Sequence, residues 1–214
     1  MADTQSETLP AADGADDVLP RCGALVLAAL IANNGITGIE LEPQSETLFL
    51  RYDPRAKKWT ESNRVHARLG VLQPAPVEID PSTLIAYARR GGGYEKGTEG
   101  YVVRTESHDG GKTWTEGTET KMPNPNAAVD FLRLRNGHLL LVYNNSLTDR
   151  SPLTVAISTD NDKTYAHQLN IAEGRNDFAY PYAIQTRDGK IHIVYTSDRR
   201  SVINHAVFDE GAVR

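Results

Sequence analysis

Ser107-His108-Asp109-Gly110-Gly111-Lys112-Thr113-Trp114 is the stretch that decides how this chain folds. Read physically it is a hairpin turn. The Asp109 carboxylate can accept hydrogen bonds from the turn backbone, Gly110 and Gly111 take positive φ without steric cost, and Trp114 brings a large apolar ring to the start of the next strand. Such a turn needs strands on both sides and an apolar surface for the indole.

Outward from it, the chain from about Ile39 onward reads as short β-type runs broken by polar turns, with no convincing amphipathic helix. The runs recur. Leu84-Ile85-Ala86-Tyr87-Ala88-Arg89, Leu140-Leu141-Val142-Tyr143-Asn144-Asn145 and His192-Ile193-Val194-Tyr195-Thr196-Ser197 each set a tyrosine behind apolar residues, at spacings of 56 and 52. Each follows a turn: Asp80-Pro81-Ser82, Arg135-Asn136-Gly137 and Arg187-Asp188-Gly189. A second marker travels with the first, since Trp59, Trp114 and Tyr165 lie 55 and 51 residues apart. Ser158 to Tyr165 is a worn copy of the opening stretch, with Asp162 in place of the glycine and Tyr165 in place of the tryptophan. Around Trp59 only Asp53 and Lys57-Lys58-Trp59 are left.

A period slightly above fifty residues with about four strands per unit predicts an all-β fold built of β-propeller blades, because a small sheet buries its faces only against its neighbours. A β-sandwich does not account for a repeat of this length. Two full units and parts of two more fit between Phe49 and Val207, so about three blades are expected, against about four to eight in a closed ring. A partial β-propeller exposes sheet edges, which invite edge-to-edge self-association.

Composition narrows the function. With 39% hydrophobic and 24% charged residues, a net charge of -5 and no basic patch, the chain is ordinary globular material and not a nucleic-acid binder. Its one cysteine, Cys22, rules out an intrachain disulfide and a Cys-based zinc site. The histidines stand at no metal-ligand spacing, Gly91-Gly92-Gly93 is followed by no phosphate-loop Lys-Ser pair, and no loop specifies calcium, so neither metal nor cofactor is expected. Residues 1–21 form an acidic leader that reads as disordered, with Asp3, Glu7, Asp13, Asp16 and Asp17 and no basic residue before Arg21. Residues 22–38 hold the apolar run Cys22–Ala32, whose eleven residues are too few to span a bilayer. A buried strand, a short helix and a signal-peptide core all fit that run. Residues 39–214 are the blades. No membrane partner is expected, and localisation stays unassigned.

The opening stretch fits S-x-D-x-G-x-T-W, the Asp-box or BNR repeat. From Gly70 to Phe208 the chain resembles the sialidase (neuraminidase) superfamily, and most closely bacterial sialidase-like BNR proteins. The likeness is carried by Gln73-Pro74, Tyr87-Ala88-Arg89, the Asp-box, Pro123-Asn124-Pro125-Asn126, Val142-Tyr143-Asn144, Arg150-Ser151-Pro152-Leu153 and Phe178-Ala179-Tyr180-Pro181. It implies a ring of about six blades when complete. It also implies recognition of a carboxylated sugar by arginines, whose planar fork matches a carboxylate. Arg89 and Arg150 fall at two of the three arginine positions of the family, with Arg90 as an alternative to Arg89, and Gln73 and Asn126 join them as substrate-binding candidates.

Tyr180 falls at the family's nucleophile, a tyrosine where most glycosidases use a carboxylate. The glutamate that takes its proton in the family is here Gln73, and an amide cannot serve as a base. Asp130, at the start of an inner-strand segment, is the first stand-in for a catalytic acid; Glu95 and Glu99, after Arg89-Arg90, are others. The family's remaining arginine and acid/base aspartate belong to early blades with no matching sequence here. The resemblance therefore implies a sialidase-like glycoside hydrolase, or a fragment of one, acting on anionic terminal sugars. Two alternatives stand beside it: a non-catalytic carbohydrate-binding or interaction propeller, favoured by Gln73, and a related enzyme of uronic-acid polysaccharides.

Overall fold

The computed structural model describes residues 45–53, 55–93 and 99–214 in full and residues 25–31 as backbone. The acidic leader, Cys22 and Glu95 lie outside the described residues. Within them four antiparallel sheets follow one another along the chain. The first is β1 (Leu25–Ile31), β2 (Glu46–Asp53) and β3 (Lys58–Glu61); the second is β4 (Val71–Glu78), β5 (Leu84–Arg90), β6 (Tyr101–Ser107) and β7 (Thr118–Pro123). The third is β8 (Asp130–Arg133), β9 (Leu139–Asn144), β10 (Leu153–Ser158) and β11 (His167–Ala172). The fourth is β12 (Ala179–Gln185), β13 (Ile191–Ser197) and β14 (Val202–Phe208), followed by a 3-10 turn at Glu210–Ala212. Each sheet is a meander in sequence order. The fold is all-β, a partial propeller of two complete four-stranded blades flanked by two three-stranded ones. Part of the apolar run Cys22–Ala32 is a strand, β1, paired antiparallel with β2.

Burial on both faces explains the order of the sheets. In β5 and β9 every residue is buried, and alternate residues serve different neighbours. Leu84, Ala86 and Ala88 pack toward the first sheet with Phe49, Val65 and Trp114. Ile85 and Tyr87 face the third sheet, where they meet Phe131, Leu139, Leu141 and Tyr143. Leu140 and Val142 turn the other way, onto Ala183, Ile191 and Ile193 of the fourth sheet. The period-2 alternation of a strand thus feeds two cores instead of one core and solvent. β4, β8 and β12 are the innermost strands of three successive sheets, and β8 lies against both of the others.

The Asp-box turn is built as its residues require. Asp109 Oδ1 accepts the backbone N–H groups of Lys112 and Thr113, both at 2.9 Å, and Oδ2 accepts the Thr113 hydroxyl at 2.7 Å. The Ser107 hydroxyl donates to Asp109 Oδ1 at 2.9 Å and accepts the Gly111 N–H at 2.9 Å, with Gly110 and Gly111 at φ +72° and +82°. Desolvation is the largest single influence and pushes the carboxyl up, but these hydrogen bonds together outweigh it and hold the Asp109 carboxyl down at about 2. Trp114 stacks on Phe49 of the first sheet, with ring centroids 3.7 Å apart and planes 12° from parallel.

The worn copy keeps the clasp and changes the stitch. Asp160 accepts the Thr164 N–H at 2.9 Å and its hydroxyl at 2.7 Å. Asp162, at φ +70° where Gly111 sits in the first turn, accepts hydrogen bonds from Tyr165 Oη (2.7 Å), Tyr87 Oη (2.8 Å) and Arg104 Nε (2.8 Å). One junction between sheets is a dry aromatic stack and the next a buried polar knot. Asp162→Gly relieves the left-handed backbone yet strips an acceptor from two phenols and a guanidinium. We expect a net loss of about 2–4 kcal/mol, read as a lower midpoint in urea denaturation.

Candidate functional site

Gln73, Asn126 and Tyr180 lie 53 and 54 residues apart and share a left-handed backbone, with φ of 46°, 58° and 52°. Gln73 and Tyr180 hold the same bulge position in β4 and β12, and Asn126 lies in the bend four residues before β8. Two of them precede proline, Pro74 and Pro181, and at both the pairing with the next strand slips: between Leu72 and Ala75 in β4, and between Ala179 and Tyr182 in β12. Proline offers no N–H to the ladder, so the strand bulges there, and the bulge turns the preceding side chain out of the sheet. A non-glycine residue in this conformation costs about 1 kcal/mol or more and persists because the stacked sheets hold it.

A continuous set of contacts runs between these positions. Arg89, at the end of β5 and 1% exposed, donates from Nε to Asn126 Oδ1 and from Nη1 to Gln73 Oε1 at 3.2 Å. Asn126 is fully buried, and its amide donates to the carbonyl of Gly92 at 2.9 Å. From the loop between β9 and β10, Arg150 Nη2 reaches the Asn126 carbonyl oxygen at 3.0 Å. The Arg150 backbone carbonyl accepts the Phe178 N–H at 3.0 Å, and the Asn144 amide donates to the Phe178 carbonyl at 3.1 Å, which fixes the approach to Tyr180. The Arg150 guanidinium carbon stands 6.0 Å from the centre of the Tyr180 ring. Gln73, Arg89, Asn126, Arg150 and Tyr180 therefore form one cluster at the heads of the innermost strands. Tyr180 is its exposed member at 36%.

The neighbours of Arg89 have other duties. Arg90 Nε donates to the Asn124 carbonyl at 2.9 Å and Nη1 to the Gly91 carbonyl at 3.0 Å, and burial pulls its pKa down. Gly100, at φ +138°, lies so close that a Cβ there would overlap the Arg90 guanidinium. Glu99 sits on the outside, 73% exposed and paired with Arg68 at 3.3 Å.

Asp130 stands apart from the cluster. Its Oδ2 accepts the Ala183 N–H across the junction between β8 and β12, three residues beyond Tyr180. Burial pushes its carboxyl up to about 6, against the pull of backbone hydrogen bonds from Ala183 and Phe131.

Two residues not singled out from the sequence join the cluster, Asp177 at Arg150 and Arg200 at Tyr180. Asp177 Oδ1 is 3.9 Å from Arg150 Nε and has no hydrogen-bond partner. Arg200, from the turn between β13 and β14, places its guanidinium carbon 5.1 Å from the centre of the Tyr180 ring. Asp198-Arg199-Arg200-Ser201 is the turn that joins β13 to β14. No local signal said where its arginine would land. Among the described residues no group of three His, Cys, Asp or Glu side chains is placed to hold a metal, and no helix is long and apolar enough to cross a membrane.

Sheets stacked face to face along their innermost strands, with Asp-boxes on the outer turns, define a propeller-type repeat protein of the sialidase-like BNR class. The chain belongs to the family described as BNR repeat-like domain, which it matches over residues 20–193. Among solved structures it is similar to the Hadza microbial sialidase Hz136, at 18% identity and a TM-score of 0.70, over 91% of this chain and 36% of that one. It is also similar to the NanB sialidase from Streptococcus pneumoniae, at 15% identity and a TM-score of 0.66, over 80% of this chain and 29% of that one. A third is the intramolecular trans-sialidase from Ruminococcus gnavus, solved with oseltamivir carboxylate: 16% identity, TM-score 0.61, 79% of this chain and 41% of that one. The chain thus spans well under half the length of the sialidases whose fold it shares. Among curated proteins no relative matches it.

The Asp130 carboxyl makes stability depend on pH. Its folded pKa lies above the unfolded value, so its contribution is fully present below about pH 4 and is lost as pH rises through about 6. Asp130→Asn keeps an oxygen for the Ala183 N–H and removes the buried charge. The variant should be more stable than the parent at pH 7.5, by about 1–3 kcal/mol, and should lack the parent's decline between pH 4 and 6. Urea titrations across that range measure both.

Proposed function

We propose that the cluster is a sialidase-type glycoside-hydrolase site that binds an anionic terminal sugar and presents its anomeric carbon to Tyr180. The observation that carries this reading is the contact of Arg150 with the exposed ring of Tyr180 at the heads of the innermost strands. A guanidinium beside a phenol suits a sugar that carries its carboxylate on the anomeric carbon, the arrangement of sialic acid. Arg150 is the first group such a carboxylate meets; Arg89, one layer deeper, holds Asn126 and Gln73 in place and adds positive charge behind them. In the reaction the Tyr180 hydroxyl releases its proton to solvent water and its oxygen bonds to the anomeric carbon as the bond to the leaving oxygen breaks. The leaving alcohol takes up a proton, and water then hydrolyses the tyrosyl intermediate.

Gln73 is the weak link. Its Oε1 accepts from Arg89 and its amide takes no proton from Tyr180, so the attack is slow unless another group supplies the base. That one feature favours a second reading, in which the chain binds anionic sugars without turning them over. A uronic-acid substrate fits the same arginines.

An aryl sialoside whose leaving group departs as a phenolate needs no acid, so its hydrolysis isolates the step assigned to Tyr180. We expect slow release of 4-methylumbelliferone by the parent and loss of about 100-fold or more in Tyr180→Phe. Gln73→Glu should raise the rate by at least about tenfold. Saturable binding of N-acetylneuraminate with no release in parent or Gln73→Glu would transfer the assignment to the binding reading.

A further inference from the structure

The turn joining β13 to β14 is an expensive piece of backbone. Asp198, Arg199 and Arg200 are consecutive non-glycine residues at φ of 49°, 55° and 70°. Left-handed residues occur singly as a rule, and three in a row are held only where the surroundings over-determine them. Here Asn176 does so: its amide donates to Asp198 Oδ1 at 3.0 Å, and its Oδ1 accepts the Asp198 N–H at 2.8 Å. The Ser201 hydroxyl donates to the Asp198 carbonyl at 2.7 Å, closing the turn. What the turn displays is two arginines. Arg200 reaches the Tyr180 ring, and Arg199 lines a pocket of about 370 Å³ with Arg175, Asn176, Asp177 and Asp198.

Charge marks this place as unusual. The whole chain carries a net charge of -5, yet Arg175 and Arg199 line this pocket with Asp177 and Asp198, and Arg150 and Arg200 stand at the Tyr180 ring. Asp198 is engaged by Asn176 and Asp177 lies 3.9 Å from Arg150, while Arg200 turns to the Tyr180 ring. Arg150 approaches Tyr180 from the loop after β9, and Arg200 approaches it from the turn after β13, which gives the phenol two cationic flanks from different elements.

We infer that the Asp198–Ser201 turn forms a second anion subsite beside Tyr180, one that takes a sulfate ester on the sugar residue next to the scissile bond. The inference rests on the proposed reading, in which Arg150 takes the carboxylate of the terminal sugar. Arg199 and Arg200 then meet an acidic group on the leaving side, where the guanidinium fork pairs with sulfate oxygens. The preferred ligand is a saccharide with two negative charges, one on either side of the bond at Tyr180.

The test is titration of the parent chain with sialyllactose and with sialyllactose sulfated on its galactose, by calorimetry at low ionic strength. The sulfated glycan should bind about tenfold more tightly, a difference of about 1.4 kcal/mol. Arg199→Ala and Arg200→Ala should each bring the two glycans within about twofold, and Arg200→Lys should retain part of the preference, with thermal midpoints confirming that each variant is folded. Equal affinity of the parent for both glycans overturns the subsite and leaves the proposed function standing. So does an equal loss for both in Arg200→Ala, which makes the turn structural. Binding of the sulfated glycan alone, lost in Arg200→Ala, supports the subsite and removes the carboxylate reading of Arg150. Binding of neither removes both.

Discussion

A sheet in the middle of this chain must bury both of its faces, and the rest of the structure follows from that. The residues of β5 and β9 are buried throughout because odd and even positions answer to different neighbours. Continuous apolar runs are more familiar from parallel sheets covered by helices. Here an antiparallel sheet shows them because a second sheet covers what solvent would otherwise wet. The fourth sheet shows the converse. Ile191 and Ile193 are buried against the third sheet, while Val194 on the other face is 41% exposed and Ile203 on β14 is 77% exposed.

The turns make the same point at smaller scale. The carboxylate clasp in Asp109 and Asp160 uses only groups within a few residues, so it survives any change in what the turn packs on. The packing partner is free to vary, and it does. Trp114 lies on Phe49 without a hydrogen-bond partner for its indole nitrogen, whereas Tyr165 brings a hydroxyl that needs an acceptor and finds it in Asp162. Once Asp162 is buried it needs donors in turn, which Tyr87 and Arg104 of the neighbouring sheet supply. Tyrosine for tryptophan and aspartate for glycine are in effect one substitution, since either alone leaves a buried polar atom unmatched.

At the candidate site the repeat supplies the place and divergence supplies the chemistry. The bulge before proline at the head of β4 holds Gln73 and the matching bulge of β12 holds Tyr180, while Asn126, also left-handed, comes from the bend that leads into β8. The two side-chain amides hold Arg89, and that of Asn126 also holds the loop at Gly92; the phenol is the exposed member. Strain at all three is sustained by the stacking that brings them together, so positioning and stability draw on the same burial.

Much of this was legible in the chain alone. The Asp-box, the period slightly above fifty residues and the apolar runs rest on contacts between residues close in sequence, and those are encoded where they are read. The resemblance pointed to Gln73, Arg89, Asn126, Arg150 and Tyr180, but by itself it did not separate Arg89 from Arg90. That choice depends on which carbonyls and amides the stacked loops present, and the structure gives Arg90 the backbone of Asn124 and Gly91 and gives Arg89 the side chains of Asn126 and Gln73. Nor does composition tell a buried strand from a short helix or a signal core at Cys22–Ala32; pairing with β2 made the choice for Leu25–Ile31. Asp130 on the Ala183 amide, 53 residues away, and Arg200 over Tyr180 belong to the same class. What sequence determined was each blade and its turn, because short-range geometry suffices for them. What tertiary structure decided was which polar groups meet between blades, because residues far apart in the chain become neighbours only when the sheets stack.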